Sequence, residues 1–139
     1  MGFLIDTCVW VDVERGKISP QDVSYYTEKH PVFISPVSIA ELTCGAEITK
    51  DESIKQKRLA ALNRLKKKPV LIIDETTGDI FGRLSAALTG HGRGAHFRVQ
   101  DIWLASQAIQ HGYKFLTLHK KDFADIQGLD LVVFGEQIA

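Results

Sequence analysis

Short apolar runs that alternate with longer stretches of helical spacing constrain this 139-residue chain more than any other feature. Residues 3–5, 32–34, 70–73, 115–116 and 131–134 are strand-length and mostly β-branched or aromatic. Helical patterns separate them. Ser35-Pro36 opens one, because serine can cap a helix and proline at the first position has no N–H to leave unpaired. Ile39, Leu42 and Ala46 then recur at helical spacing. Residues 51–67 carry Ile54, Arg58, Leu59, Leu62 and Leu65 on a second amphipathic pattern, and residues 76–89 carry Ile80, Phe81, Leu84, Ala87 and Leu88 on a third. In residues 100–111, Ile102, Ala105, Ala108 and Ile109 form one stripe that Gly112 ends. Strand and helix in alternation predict an α/β chain, a three-layer α/β/α arrangement around a mainly parallel central sheet.

The length suits a single domain over residues 1–139, and no internal repeat or low-complexity segment divides it. With 45% apolar residues the chain can bury a core, which excludes wholesale disorder. Its apolar runs fall far short of the roughly 20 residues of a membrane span. The opening Met1-Gly2-Phe3-Leu4-Ile5-Asp6 has neither a basic region nor a long apolar stretch, so a cytoplasmic protein with no membrane partner is expected. Two cysteines, Cys8 and Cys44, make neither a disulfide framework nor a zinc knuckle.

Seventeen basic and seventeen acidic residues balance, yet they are segregated. Residues 50–68 hold eight bases against two acids, and residues 83–121 six bases against one acid, Asp101. Residues 122–139 hold four acids and no base. A neutral chain can therefore still show a basic face to a phosphate backbone, although a solvated helix face explains residues 50–68 equally well.

In open α/β sheets, ligands bind beyond the carboxyl ends of the strands. Asp6 ends the first run, Glu41 lies in the first turns of the helix after the second, and Asp101 follows a glycine-rich loop at the start of its helix. Asp122 comes a few residues after the run at 115–116, on an expected loop flanked by Lys120 and Lys121. All four can converge at one end of the sheet. Each also has a plain explanation as a turn former, an exposed helix residue or a helix-start charge.

Leu4-Ile5-Asp6-Thr7, Ser38-Ile39-Ala40-Glu41-Leu42, Asp101-Ile102-Trp103-Leu104-Ala105 and Thr117 followed by Asp122-Phe123 occur in the order and context of the PIN domain. The chain resembles that family over essentially its whole length, and within it most resembles the VapC-type toxins of bacterial toxin–antitoxin pairs. The resemblance implies a metal-dependent endoribonuclease that leaves a 5′-phosphate and a 3′-hydroxyl, forms a homodimer, and is inhibited by a cognate antitoxin.

The residue types suit that chemistry. Clustered carboxylates repel unless a cation joins them, and an all-oxygen set selects hard ions, Mg²⁺ or Mn²⁺. Such an ion lowers the pKa of a bound water and neutralises charge on the scissile phosphate. Asp6 and Asp101 are expected as metal ligands, with Glu41 ligating directly or through water, and Asp122 as the fourth acid of the catalytic set. Thr7, Ser38 and Thr117 would supply supporting hydrogen bonds, and Arg93 or Arg98 would steady RNA phosphates.

Two positions depart from the family's usual pattern. Cys8 stands where asparagine is common, and His119 stands where asparagine or aspartate is common. A thiol is a weak hydrogen bonder, and His119 can orient a water or meet a phosphate but cannot act as a carboxylate. Two rival phosphoryl-transfer readings are weaker. A haloacid-dehalogenase-type phosphatase needs an acid where Cys8 stands. A signalling receiver domain needs an acidic pair after the first strand, and could use only Asp74 as its phospho-acceptor. A PIN-like module that binds RNA or protein without cutting would lack one of the metal ligands, and three clear acids are present.

Overall fold

A computed structural model describes residues 1–92 and 98–136. Its sheet has β1 (Phe3–Ile5) between β2 (Val32–Phe33) and β3 (Lys114–Thr117), with β4 (Asp130–Val133) outside β3, and every pairing is parallel. Register sets the layers. Leu4 pairs with Phe115 and Ile5 with Leu116, and partners opposite one another share a face of the sheet. Leu4 and Phe115 enter one core with Leu104, Ala105 and Ala108 of α6 (Val99–His111) and Phe123 of α7 (Lys120–Phe123). Phe3, Ile5 and Leu116 enter the other, with Val9 of α1 (Thr7–Glu14), Val23 of α2 (Pro20–Thr27) and Ile18 between the two helices. Helices thus cover both faces of a parallel sheet, the three-layer arrangement that the alternation predicts. Among the described residues, no helix is long and apolar enough to cross a membrane.

The remaining helices are α3 (Pro36–Glu47), α4 (Glu52–Leu65) and α5 (Glu75–Gly90). The Ser35 hydroxyl accepts from the Val37 N–H at 3.0 Å, as its Ser-Pro signal predicts. Gly112 ends α6 at φ 68°, a left-handed conformation that glycine adopts without steric cost.

Parts of the chain depart from the sequence expectation. Residues 70–73 form no strand. The Ile34 N–H donates to the Pro69 carbonyl at 3.0 Å and the Leu71 N–H donates to the Ile34 carbonyl at 2.9 Å, and pairing stops there. Ile72 is 73% exposed, and among the described residues no strand pairs outside it. Beyond it Asp74 turns the chain into α5 through a capping box with Thr77. The pairing that a strand would have supplied comes instead from Gln107 of α6, fully buried, whose Nε2 donates to the Leu71 carbonyl at 2.7 Å. Its Oε1 accepts from the Ser35 hydroxyl. One amide therefore ties the sheet edge, the start of α3 and α6 together. Gln107→Leu should cost about 1–3 kcal/mol by leaving the Leu71 carbonyl buried and unpaired. Urea unfolding checks this, and an unchanged midpoint would mean that the segment holds without it.

The second departure is α1 and α2, which the apolar spacing does not predict. Ser19-Pro20 repeats the Ser-Pro start signal of α3, and Asp22 completes a capping box there.

Candidate active site

Asp6 stands where β1 ends and α1 begins, and its backbone N–H continues the ladder by donating to the Leu116 carbonyl at 2.9 Å. An aspartate just before a helix ordinarily caps it. Here the carboxylate makes no capping bond, and instead Oδ2 accepts from the Thr117 hydroxyl at 2.7 Å and from the Cys8 thiol at 3.3 Å. Thr117 ends β3, so parallel pairing of adjacent strands delivers donor and acceptor from residues 111 apart in sequence. The Thr117 hydroxyl in turn accepts from the His119 backbone N–H at 3.0 Å. Burial raises the Asp6 pKa above its ordinary value, against the lowering effect of the Thr117, Cys8 and Thr7 hydrogen bonds and of the nearby His119. Burial, with the Asp6 charge beside it, pushes the Cys8 thiol up to about 12, so it remains a protonated donor.

Glu41 reaches the same place from α3. The Thr7 hydroxyl donates to Glu41 Oε1 at 2.9 Å, which commits its only proton. The Ser38 hydroxyl, 2.7 Å away, therefore donates to Thr7. Ser38 and Glu41 are three residues apart on one face of α3, which lets a single threonine at the start of α1 engage both. Burial raises the Glu41 pKa, and the Asp6 charge adds to it, while the Thr7 bond opposes.

Asp101 lies in the first turn of α6, half-buried. Burial and then the charges of Asp6, Asp122 and Glu41 raise its pKa to about 6, only partly offset by Arg98. Asp122 is exposed and sits inside the short helix α7 rather than on a loop. Among the described residues, these four carboxylates, Thr7, Cys8 and His119 line an open cleft of about 400 Å³ together with Val11, Asp12 and Leu118.

Three further expectations turn out differently or go untested. Arg98 does not line the cleft: its guanidinium forms a two-pronged pair with Asp125, at 3.1 and 3.2 Å. Arg93 lies outside the described residues. Asp74 caps α5, accepting from the Thr77 N–H and from Gln110, which together lower its pKa. It is a helix cap remote from the cleft lining, and so no phospho-acceptor beside Asp6.

Asp12 is the acid that sequence reasoning misses. It lies four residues after Cys8, on the face of α1 that Cys8 turns to the cleft. Recognising α1 as a helix would have found it.

The donor set fits a hard divalent cation in chemistry: every candidate ligand is a carboxylate oxygen, and burial together with the neighbouring acids raises Asp101 above the usual carboxylate range. Among the described residues, no three His, Cys, Asp or Glu side chains are grouped as a ready-made metal-binding set.

A profile of the PIN domain family matches residues 3–129. The chain is 33% identical over 140 residues to Ribonuclease VapC1 of Rickettsia felis, covering 99% of both chains. It is 27% identical over 125 residues to Ribonuclease VapC5 of Mycobacterium tuberculosis, covering 90% of this chain and 87% of that one. In structure it is similar to VapBC-1 from nontypeable Haemophilus influenzae, with a TM-score of 0.81, 20% identity and coverage of 98% and 100%. VapBC2 from Rickettsia felis, bound to a DNA fragment from its promoter, gives a TM-score of 0.80 at 21% identity, covering 96% and 98%. At those identities the two structures speak for the fold alone.

Proposed function

The chain belongs to the PIN domain family, among its VapC ribonucleases, and from that premise we propose that it is an endoribonuclease toxin held in check by a cognate antitoxin. The observation that carries this reading is four carboxylates from four separate elements on one cleft, with the Asp101 pKa raised to about 6 by burial and then by the neighbouring charges. Asp6 and Asp101 would hold Mg²⁺ or Mn²⁺, with Glu41 ligating directly or through a water. Once bound, the ion would lower the pKa of a water so that its hydroxide can attack, and would neutralise charge on the scissile phosphate.

The chain's own residues prepare that place. Thr117 fixes the orientation of the Asp6 carboxylate and favours its anionic form. Thr7 does the same for Glu41, with Ser38 behind it. Cys8, where the family commonly has asparagine, donates to Asp6 through the weaker hydrogen bond that a thiol makes. His119 and Asp122 stand at the exposed side of the cleft, where RNA enters. There His119 can meet a phosphate, and Lys120 and Lys121 temper the charge of Asp122. An unpaired or looped strand is the substrate, since a duplex would hold its backbone away from a recessed cleft.

Relatives of this chain are solved as VapBC complexes. The corresponding partner here is an antitoxin whose tail carries Arg or Lys into the acidic cleft, and the toxin itself is a homodimer. Purified protein should cut single-stranded RNA in Mg²⁺ or Mn²⁺, lose all cutting in EDTA, and recover when the ion returns. Cutting that survives EDTA would refute the metal site. RNA binding without product in either condition would make the chain a binding module.

A further inference from the structure

Beside the cleft runs a short aromatic ridge that the carboxylate site does not use. Leu118 lines the cleft at the end of β3. Thr117 pairs with Val133 on β4, and the Phe134 N–H donates to the Thr117 carbonyl at 2.8 Å, so Phe134 leaves β4 next to the residue that holds Asp6. Phe134 and Leu118 pack against the same buried cluster. The Tyr26 ring tilts on Phe134 with centroids 4.7 Å apart, and the Tyr25 ring meets Tyr26 edge-on at 5.3 Å. The Tyr26 hydroxyl is itself anchored, accepting from the Gly135 N–H at 2.7 Å. Gly135 has φ 94°, a backbone turn that suits glycine and carries its N–H to that hydroxyl.

The ridge ends in Tyr25, 71% exposed although it is a large aromatic residue. A single exposed tyrosine is ordinary on a protein surface. This one meets Tyr26 edge-on, and Tyr26 is in turn held by the tilted Phe134 ring and by the Gly135 N–H, beside the strand end that carries Thr117. A tyrosine side chain has only two rotatable bonds, which keeps low the entropy lost when a flat ligand settles on it. At the strand ends, Lys120 is exposed and paired only loosely with Glu136, two residues past Phe134, at 3.3 Å with both side chains more than half exposed. Lys121 is exposed as well. An aromatic face with cations nearby is the combination that holds single-stranded nucleic acid: bases stack, and lysines meet the phosphates.

We infer that Tyr25, carried on Tyr26 and Phe134, is a stacking platform for an unpaired base of the RNA strand that lies in the carboxylate cleft. The inference rests on the ribonuclease reading and adds to it how the strand is held. Bases flanking the scissile phosphate engage the ridge by their flat faces, so the platform selects unpaired RNA over duplex and tolerates any base. Tyr25 touches no carboxylate ligand and takes no part in bond cleavage.

The test compares Tyr25→Ala, Tyr25→Phe and Tyr25→Leu in two assays. Equilibrium binding of a labelled mixed-sequence single-stranded RNA is followed by fluorescence anisotropy in EDTA, where nothing is cut. Cleavage of the same RNA is followed in Mn²⁺. Tyr25→Ala should weaken binding and raise KM by about tenfold, with kcat within about twofold of wild type. Tyr25→Phe should restore both values. Tyr25→Leu, apolar but without a π face, should not. Unchanged binding in Tyr25→Ala, or full rescue by leucine, overturns the platform. If Tyr25→Ala leaves RNA binding intact but abolishes association with an antitoxin or with a second copy of the chain, the ridge is a protein interface and the inference is wrong. Should wild type bind RNA through Tyr25 yet never cut it, the ribonuclease reading fails while the platform stands.

Discussion

Asp6→Asn and Asp101→Asn should each lower RNA-cleavage kcat by on the order of a hundredfold or more, since several kcal/mol of transition-state charge stabilisation depend on the ion they would hold. Asparagine preserves the shape of each site and removes only the charge. Asp6 is the more rigid of the two, clamped between Thr117 and Cys8 at the end of the central strand. Asp122→Asn should cost less than either. Its side chain is exposed on a four-residue helix and flanked by two lysines, so its charge is screened and its position loosely set. Initial rates in excess Mn²⁺, with a manganese titration by calorimetry, distinguish the three. Equal loss of affinity in Asp122→Asn would make that residue a full ligand.

The same substitution at Asp101 should act in the opposite direction on stability. In EDTA at pH 7.5, Asp101→Asn should melt higher than wild type, by roughly 3 °C for about 1 kcal/mol. That figure already allows for solvent screening of a half-exposed group. The folded Asp101 keeps its proton up to about pH 6, while an ordinary aspartate loses it near 3.8. Protonation therefore favours the folded state. The wild-type penalty is absent below about pH 4, grows as pH rises, and is complete above about pH 6, so the gap between the two proteins should close on acidification across that window. Saturating Mn²⁺ at pH 7.5 should reverse the order, because the ion binds the folded wild-type cleft and so stabilises it. A melting difference that ignores both pH and Mn²⁺ would mean that Asp101 faces neither the other acids nor a cation.

What was legible in the sequence follows from geometry. Asp6, Glu41 and Asp101 could be placed at one end of the sheet because each sits at a strand end or in the opening turns of a helix, where the backbone fixes the side chain's location. Asp122 was placed by proximity to β3, and its short helix was not foreseen because four residues carry no periodicity. Asp12 escaped because Val9, Val11 and Val13 recur every second residue, the period of a strand, while tertiary packing folds the segment as α1. Arg98 looked free for phosphate because its partner Asp125 lies 27 residues away, a distance that no local pattern spans. Residues 70–73 are apolar enough for a strand, but an apolar run does not say whether a neighbour will cover its outer side.

The central position of β1 has a consequence in time. It pairs with β3, and the Asp6–Thr117 bond spans 111 residues. On a ribosome that adds 5–20 residues per second, the first strand waits roughly 5–20 s for the segment that orients its aspartate. Until then the emerging polypeptide carries Asp6 and Glu41 without Thr117, and for most of that time without Asp101, so the carboxylate cleft is not assembled. The cleft is thus absent for as long as the chain is being made, and an inhibitor arriving within those seconds meets a toxin that has never been armed.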